Sequence, residues 1–230
     1  MYTLIEENSD YILVSKHAGA NFHKGNSHTG LVMKVRADLQ CEELYPVHRL
    51  DNMTSGLLLF ARNRSTAADL CLQFKNHTIE KFYIALAGTH PKKKQGTIKG
   101  DMVQVRDGEW MLARTMNNPA ITQFFSTGLG NGFRLYILRP HTGRTHQLRV
   151  ALKSLGEPVF GDHLYYKSKD SKMKMDRGYL HAYAIQFEIR GRFHRFINRP
   201  SEGIHFNSEE FMEGLKKFID PWTLEWPKVK

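Results

Sequence analysis

Cysteine and long apolar runs are scarce in this chain of 230 residues. Its two cysteines, Cys41 and Cys71, lie in apolar-patterned segments and lack CxxC spacing, so we expect buried, reduced thiols. No apolar run approaches the roughly 18 residues that a membrane span requires, so no membrane partner is expected. The N-terminal segment 1–7 is acidic and lacks the pattern of a signal peptide, which makes the cytoplasm the expected compartment.

Acidic side chains are outnumbered by basic ones. The chain has 33 Lys and Arg against 23 Asp and Glu, a formal net charge of +10. An excess of this size attracts polyanions and releases their counterions on binding, so a nucleic acid is the first candidate partner. Many soluble proteins are basic, and charge alone therefore does not assign a function.

The segment His48–Gly56 is polar and leads directly into the apolar run Leu57–Ala61, which is typical of a buried strand. Asp51 is the one carboxylate of this segment, and it follows Arg49 by two positions. A neighbouring guanidinium keeps a carboxylate ionised, and a nucleophile or general base must be ionised and rigidly held. The alternative is a turn aspartate that bonds its own loop backbone.

A second cluster of polar residues, His141–Val150, is typical of a strand-to-helix junction. Arg144 and His146 fall at the predicted helix N-terminus, a natural place for a phosphate, and Arg149 lies about one turn further on. A capped helix with solvated basic side chains is the alternative. Zinc is a rival ligand, but His141 and His146 are not spaced i, i+4 and no Cys or Glu completes a set, so we expect no metal.

The third segment of interest is Lys81–Leu86. In a strand, Lys81 and Tyr83 share one face, whereas Phe82 and Ile84 share the other. Tyr83 could therefore enter a polar pocket and stack on a nucleotide base. A core tyrosine is the alternative.

Hydrophobic periodicity predicts more strands than helices. We expect a second helix with Ser65 as its N-cap and an apolar face of Ala67, Leu70, Cys71 and Phe74. The predicted strands are 11–16, 57–62, 82–87, 121–125, 133–138 and 179–190, and hairpins are expected within 91–108. The predicted helices are 31–39, 65–77, one from about 144 to a C′ glycine at Gly156, and one that begins near Ser208. The predicted loops are 17–28 and 167–174. These elements predict one α+β domain over residues 1–230, with a mixed, mainly antiparallel central sheet flanked by helices and loops.

The segment 48–56 resembles the active-site motif of the RluA-type pseudouridine synthases, which reads His-Arg-Leu-Asp, two variable residues, then Thr-Ser-Gly. Further similarity covers most of the chain, at Ser15-Lys16, Ala18-Gly19, Lys81–Tyr83, Thr142–Arg149, Gly161-Asp162, Leu164-Tyr165 and Leu180–Ala182. The resemblance implies an enzyme that isomerises uridine within RNA. Such enzymes break the bond between uracil N1 and ribose C1′, turn the base and rejoin it through C5, without cofactor or metal.

The resemblance implies a role for each matched residue. Asp51 is similar to the catalytic aspartate, Tyr83 to the tyrosine that packs on the flipped base, and Arg149 to the basic partner of the aspartate. Arg49 resembles the arginine that enters the space left by the target uridine, and Leu148 an apolar residue lining the pocket. The other substrate-binding residues expected from the two long motifs are His48, Thr54, Arg144 and His146. Whether Asp51 attacks the sugar or removes a sugar proton stays open.

Two positions depart from the family pattern and leave the RNA-contact geometry open. His17 replaces a usual proline, and Ala151 stands where a histidine often follows Gln-Leu-Arg-Val. Because the matching strand begins near Tyr11, we expect no separate N-terminal RNA-binding domain. The catalytic domain must then find its own RNA, which favours a short stem-loop in ribosomal RNA or tRNA. The resemblance to the family also implies a monomer.

Two other functions remain as alternatives. One is a non-catalytic RNA-binding or RNA-folding module on the same fold, and the other is a metal-dependent hydrolase that uses the histidines. The intact set of Arg49, Asp51, Tyr83 and Arg149 argues against a binding module, because such a module does not need the carboxylate.

Overall fold

The computed structural model describes residues 1–21, 30–166 and 175–229. The strands are β1 (Tyr2–Glu7), β2 (Tyr11–Lys16), β3 (Tyr45–Pro46), β4 (Ser55–Ala61), β5 (Glu80–Ala87), β6 (Gln95–Gly100), β7 (Met102–Gln104), β8 (Trp110–Leu112), β9 (Ala120–Gly130), β10 (Phe133–Pro140), β11 (Leu180–Ile189) and β12 (Arg192–Ile197). The α-helices are α1 (Leu31–Asp38), α2 (Arg64–Lys75), α3 (Gln147–Ser154) and α4 (Glu209–Leu215). The backbone clusters into two compact units: the first combines Met1–Lys81 with His181–Pro200, and the second combines Phe82–Leu180 with Ser201–Lys230.

The first unit holds a mixed sheet in the strand order β1-β2-β4-β11, with β3 added to β4 and β12 added to β11. Its strand pairs are antiparallel except for β4 with β11, which run parallel where Ser55 pairs with His181 and Gly56 with Ala182. Every residue of β4 is buried, because the strand lies between β2 and β11 and its side chains fill both faces of the sheet. The central strand predicted from the apolar run is therefore confirmed.

Helix α2 packs Leu70 into the core of the first unit, together with Leu13, Leu57 and Leu59. Each fully buried leucine contributes about 1.5–3 kcal/mol relative to an exposed one. The predicted helix is confirmed, but Cys71 is exposed rather than buried. Gln73, further along α2, points toward the sheet instead, and its side-chain amide group forms hydrogen bonds with the backbone of β11.

The N-cap of α2 is Asn63, and the prediction of Ser65 was wrong. Asn63 has extended backbone angles, φ −144° and ψ 162°, and its side-chain oxygen accepts from the N–H of Thr66 at 2.8 Å. The hydroxyl of Ser65 donates to the same Asn63 oxygen at 2.8 Å. Ser65 thus lies inside the first turn and supports the cap instead of forming it.

The second unit holds an antiparallel sheet in the order β5-β10-β9-β6 and a separate pair, β7 with β8. Strands β9 and β10 are longer than predicted and are joined by Asn131 and Gly132, with φ of 48° and 81°. This Asn-Gly pair suits the two-residue turn of a tight hairpin and confirms the predicted turn. Within 91–108 the expected hairpins are only partly present, because β6 pairs with the distant β9 and only β7 pairs locally, with β8.

Helix α3 begins at Gln147, three residues later than predicted. The side-chain oxygen of Gln147 accepts from the N–H of Arg144 at 3.0 Å and from the hydroxyl of Thr142 at 2.7 Å, which holds the preceding residues in a loop. His146, the N-cap, has left-handed backbone angles with φ of 55°. Gly156 follows the helix at φ 89°, which confirms it as the C′ residue.

The predicted α+β class with a mixed, mainly antiparallel sheet is confirmed. The pattern missed β1, which is largely exposed and acidic, and β12, which mixes basic and aromatic residues. The last helix begins after Ser208, whose hydroxyl accepts from the N–H of Phe211 at 3.2 Å, as the prediction required. The predicted loop 167–174 and residues 22–28 of the predicted loop 17–28 lie outside the described residues. Within the described ranges, no helix is both long and apolar enough to cross a membrane.

Candidate active site

The loop before β4 holds Asp51 in a fixed turn. The N–H of Thr54 donates to the Asp51 carbonyl at 3.1 Å, and the N–H of Gly19 donates to the Asn52 carbonyl at 2.9 Å. Leu50 anchors the other side of the turn in the core with 5% exposure. Because the backbone is bound on both sides of Asp51, its half-buried carboxylate is carried by a rigid element.

Lys16 ties the same loop to the end of β2. Its ammonium is fully buried and donates to the carbonyls of His17, Ala20 and Asn52 at 3.0, 2.9 and 3.0 Å. A buried ammonium is tolerated only when its donors find acceptors, as they do here. The sequence resemblance includes Lys16 but implies no role for it. The available signal was a lysine at the end of a largely apolar strand, and this lysine pairs with Gly56 of β4.

His48 packs against the protein and positions the beginning of the loop. Its Nε2 accepts from the backbone N–H of Leu59 at 2.9 Å, and its ring stacks on Phe74 at 4.7 Å between centroids. Burial lowers the pKa of His48 to about 3, and the charge of Lys81 acts in the same direction. The ring is therefore neutral near pH 7, with its proton on Nδ1.

The glycine of the motif allows β4 and β11 to approach closely. Gly56 has φ of 103°, and a Cβ added there would lie 2.3 Å from the carbonyl oxygen of Ala182. Next to it, the hydroxyl of Ser55 bonds Nδ1 of His181 at 2.7 Å, and Nε2 of His181 bonds the carbonyl of Asn198 at 2.9 Å. The Thr-Ser-Gly part of the motif thus serves to join strands beneath the Asp51 turn.

Arg49 and Thr54 differ sharply in exposure. Arg49 is exposed, and among the described residues its side chain makes no hydrogen bond or ion pair. Thr54 is only 2% exposed and lies in the interior. A direct substrate contact by either residue remains a prediction, and the geometry favours Arg49 for it.

Tyr83 lies on β5 with the alternation expected from the sequence. Phe82 is 1% exposed and packs between Trp222 and Trp226, with centroid distances of 5.3 and 5.6 Å. Tyr83 and Lys81, on the opposite face of the strand, are half-buried. Desolvation lowers the pKa of Lys81 to about 8.

Arg149 forms a buried ion pair with Asp162. Nε and Nη2 of Arg149 lie 2.6 and 2.7 Å from the two carboxylate oxygens of Asp162, and the two side chains are 3% and 0% exposed. Asp162 also accepts from the N–H groups of Leu164 and Tyr165 at 3.0 and 3.2 Å. A two-point pair of this kind fixes the plane of the guanidinium. Leu148, the preceding residue on α3, is 8% exposed.

The expected phosphate-binding residues before α3 are tied to neighbouring segments. Nδ1 of His146 bonds the hydroxyl of Tyr165 at 3.0 Å, and that hydroxyl accepts from the N–H of Trp110 at 2.8 Å. The side chain of Arg144 donates to the amide oxygen of Asn118. The loop is therefore braced by the hairpin of β7 and β8.

The histidines considered for zinc have other partners. Nε2 of His141 lies 2.6 Å from Oε1 of Gln123, and Nδ1 of His146 bonds Tyr165. In the part of the chain that the structure describes, no group of three or more His, Cys, Asp or Glu side chains is arranged to hold a metal ion.

The expected site residues are distributed over the two units. The first unit contains those of the aspartate motif: His48, Arg49, Asp51 and Thr54. The second unit contains Tyr83, Arg144, His146, Leu148 and Arg149.

Comparison with known proteins identifies relatives over nearly the whole chain. A sequence profile described as RNA pseudouridylate synthase matches residues 10–154. A Haemophilus influenzae protein named as an uncharacterized RNA pseudouridine synthase is 45% identical over 216 residues, which cover 94% of this chain and 95% of that protein. Ribosomal large subunit pseudouridine synthase D of Borreliella burgdorferi is 31% identical over 237 residues, with coverage of 96% and 72%.

A solved structure shares the fold. The structure titled Human RNA Pseudouridylate Synthase Domain Containing 1 has a TM-score of 0.73 and 24% identity, and covers 87% of this chain and 84% of that one. The fold and the aspartate motif thus define an isomerase of the pseudouridine synthase class. The chain belongs to the RNA pseudouridylate synthase family, of the RluA type.

Proposed function

We propose that this protein converts a uridine in a structured stem-loop of ribosomal RNA or tRNA to pseudouridine, with Asp51 as the catalytic carboxylate. The main support is the turn around Asp51, which is bound through Thr54, Gly19 and Lys16 and leads into a fully buried strand. Such a turn holds a carboxylate in one place while the substrate moves, as nucleophilic or base catalysis requires.

The reaction is an isomerisation and balances without an added reactant. The bond between uracil N1 and ribose C1′ breaks, the base turns, and a bond forms between C5 and C1′. C5 then loses its hydrogen as a proton, and N1 gains one. Asp51 either attacks the sugar carbon or removes a sugar proton, and both routes require the ionised carboxylate.

Arg149 and Tyr83 are the other proposed catalytic residues. Arg149 is the proposed basic partner of Asp51, a role that rests on the resemblance of its motif, and its ion pair with Asp162 fixes the guanidinium plane. Tyr83 is proposed to pack on the flipped uracil, and its place on the less buried face of β5 supports this role.

The exposed Arg49 is proposed to enter the RNA where the target uridine leaves the stack. Flipping a base costs a few kcal/mol of unstacking, which an inserted side chain and phosphate contacts offset. Arg144 and His146 are proposed to bind phosphate, while His48 and Thr54 act on RNA chiefly by shaping the Asp51 loop. Leu148 is proposed to line the pocket for the base.

The net charge of +10 supports a polyanionic substrate. The relative from Borreliella burgdorferi is named for the large ribosomal subunit, which makes ribosomal RNA a first substrate to test. We further propose a cytoplasmic enzyme that acts as a monomer over residues 1–230, without cofactor or metal.

Product mapping tests the proposal. RNA from cells that lack this protein is incubated with the purified enzyme, digested and analysed for pseudouridine by mass spectrometry. Carbodiimide adducts that stop reverse transcription then locate the modified position. We expect a new pseudouridine within a ribosomal RNA or tRNA stem-loop. Pseudouridine formed mainly in long single-stranded RNA, or none in any RNA, would contradict the proposed function.

A further inference from the structure

The segment Arg190–Arg199 contains four arginines and one histidine and has no carboxylate. It includes β12, one of the strands that the hydrophobic pattern missed. We use the name β12 surface for the side chains of Arg192, Phe193, Ile197 and Arg199. None of these side chains belongs to the motifs that define the candidate active site.

The fold holds β12 firmly on one side. Arg190 and Gly191 both have left-handed φ, 50° and 74°, and form the two-residue turn from β11. His194 faces inward, where its ring stacks on Phe187 at 5.5 Å and its Nδ1 bonds the hydroxyl of Tyr11 at 3.1 Å. Because side chains alternate along a strand, Phe193 and Ile197 face outward on this rigid support. Arg192 lies next to the turn, at the start of the strand and on the face of His194.

The exposed side chains of the β12 surface are unusual for a surface strand that serves only the fold. Phe193 is 69% exposed and Ile197 is 43% exposed. Arg192 and Arg199 are exposed, and within the described ranges neither side chain makes a hydrogen bond or an ion pair. An exposed aromatic ring between uncompensated guanidinium groups adds little to stability and is suited to recognition.

The end of β12 is linked to the Asp51 loop within the first unit. Asn198, which follows the strand, accepts from the Ser15 hydroxyl at 2.8 Å, and its carbonyl bonds His181 at 2.9 Å. His181 in turn bonds Ser55, which begins β4 directly after the loop that carries Asp51. At about 3.4 Å per residue, the strand extends from this point for about 17 Å.

We propose that the β12 surface binds unpaired nucleotides of the RNA substrate next to the target uridine. Arg192 and Arg199 bind phosphates, and Phe193 stacks on a base, since arginine and aromatic side chains together recognise single-stranded RNA. This assignment rests on the proposed function and extends it with a substrate-binding surface. A symmetric contact with a second copy is disfavoured, because it would bring uncompensated arginines of both copies together.

The test measures binding of fluorescein-labelled oligouridylate by anisotropy as a function of KCl concentration. The variant Arg192→Gln/Arg199→Gln removes two charges, and the control Arg64→Gln/Lys216→Gln removes two from side chains that are 85% and 70% exposed. Each lost phosphate contact reduces the magnitude of the slope of log affinity against log salt concentration by about 0.7. In the double variant, the slope should therefore become shallower by about 1.4. The control should retain the wild-type slope.

Phe193→Ala separates stacking from charge. We expect a loss of affinity on the order of tenfold with the salt slope unchanged. With an RNA that the wild type modifies, all β12 variants should raise KM and leave kcat unchanged.

Three results would overturn the assignment: wild-type binding by both β12 variants, an equal loss in the charge control, or a dimer in sedimentation that Phe193→Ala dissociates. Failure of the proposed function gives a different result, namely no pseudouridine formed by the wild-type enzyme, whatever the binding data show.

Discussion

Removing one partner of the buried pair of Arg149 and Asp162 should destabilise the protein strongly, and Asp162→Asn measures the loss. Both side chains are almost fully buried, at 3% and 0% exposure, with two contacts of 2.6 and 2.7 Å. The substitution keeps the shape but leaves a buried guanidinium without its counter-charge, which costs about 3–5 kcal/mol. At about 2–4 °C per kcal/mol for a chain of this size, Tm should fall by about 6–20 °C.

Urea unfolding followed by circular dichroism measures this loss. Glu109→Gln is the control, because Glu109 pairs with Lys153 at 3.3 Å on the surface, with exposures of 30% and 43%. A surface pair of this kind contributes about 0–1 kcal/mol. The replacement Arg149→Met/Asp162→Leu removes both charges and should recover part of the stability lost in Asp162→Asn, although not the activity. A loss below about 1 kcal/mol for Asp162→Asn would refute the reasoning.

Two further predictions concern the first unit. Burial lowers the pKa of His48 to about 3, so the unfolded chain takes up a proton there below pH about 6.5 while the folded chain does not. The stabilisation from neutral His48 is therefore complete above that pH and decreases toward pH 3. In an NMR titration, the ring signals of His48 should stay constant through pH 6.5. A titration midpoint near pH 6.5 would contradict the assignment. Asn63→Ala should cost about 1 kcal/mol of unfolding free energy, because it removes the cap of α2, and Ser65→Ala should cost less. The reverse order in chemical denaturation would support Ser65 as the cap.

Local sequence patterns correctly predicted those elements that depend mainly on neighbouring residues, such as apolar runs and helix-capping residues. The apolar run after Gly56 is a buried strand, and Ser208 and Gly156 lie at the helix ends expected for their residue types. Asn63 and Ser65 are both good cap residues, and the choice between them depends on backbone geometry that periodicity does not contain. Cys71 matched the apolar stripe, but its place was decided by tertiary packing.

The sequence predicted the motif of the candidate site but not the residues that hold the Asp51 loop in place. Asp51 was singled out by its motif, whereas Lys16 acquires its role only when its three carbonyl partners meet around it in the fold. The bond from Leu59 to His48 likewise joins residues whose relation appears only when the loop folds back on β4. Strand β12 was missed because its mixture of basic and aromatic residues does not match the apolar pattern of a core strand.

The central claim, that Asp51 performs the chemistry, is tested most directly by tritium release from RNA labelled at uracil C5. C5 must lose its hydrogen when it becomes the glycosidic carbon. We expect release by the wild type and by the control Asp69→Asn, which alters an exposed carboxylate on α2. Asp51→Asn should release no tritium and still bind the RNA with an affinity close to that of the wild type. Release by Asp51→Asn at the wild-type rate would contradict the claim, and no release by any form would favour a non-catalytic RNA-binding module on the same fold.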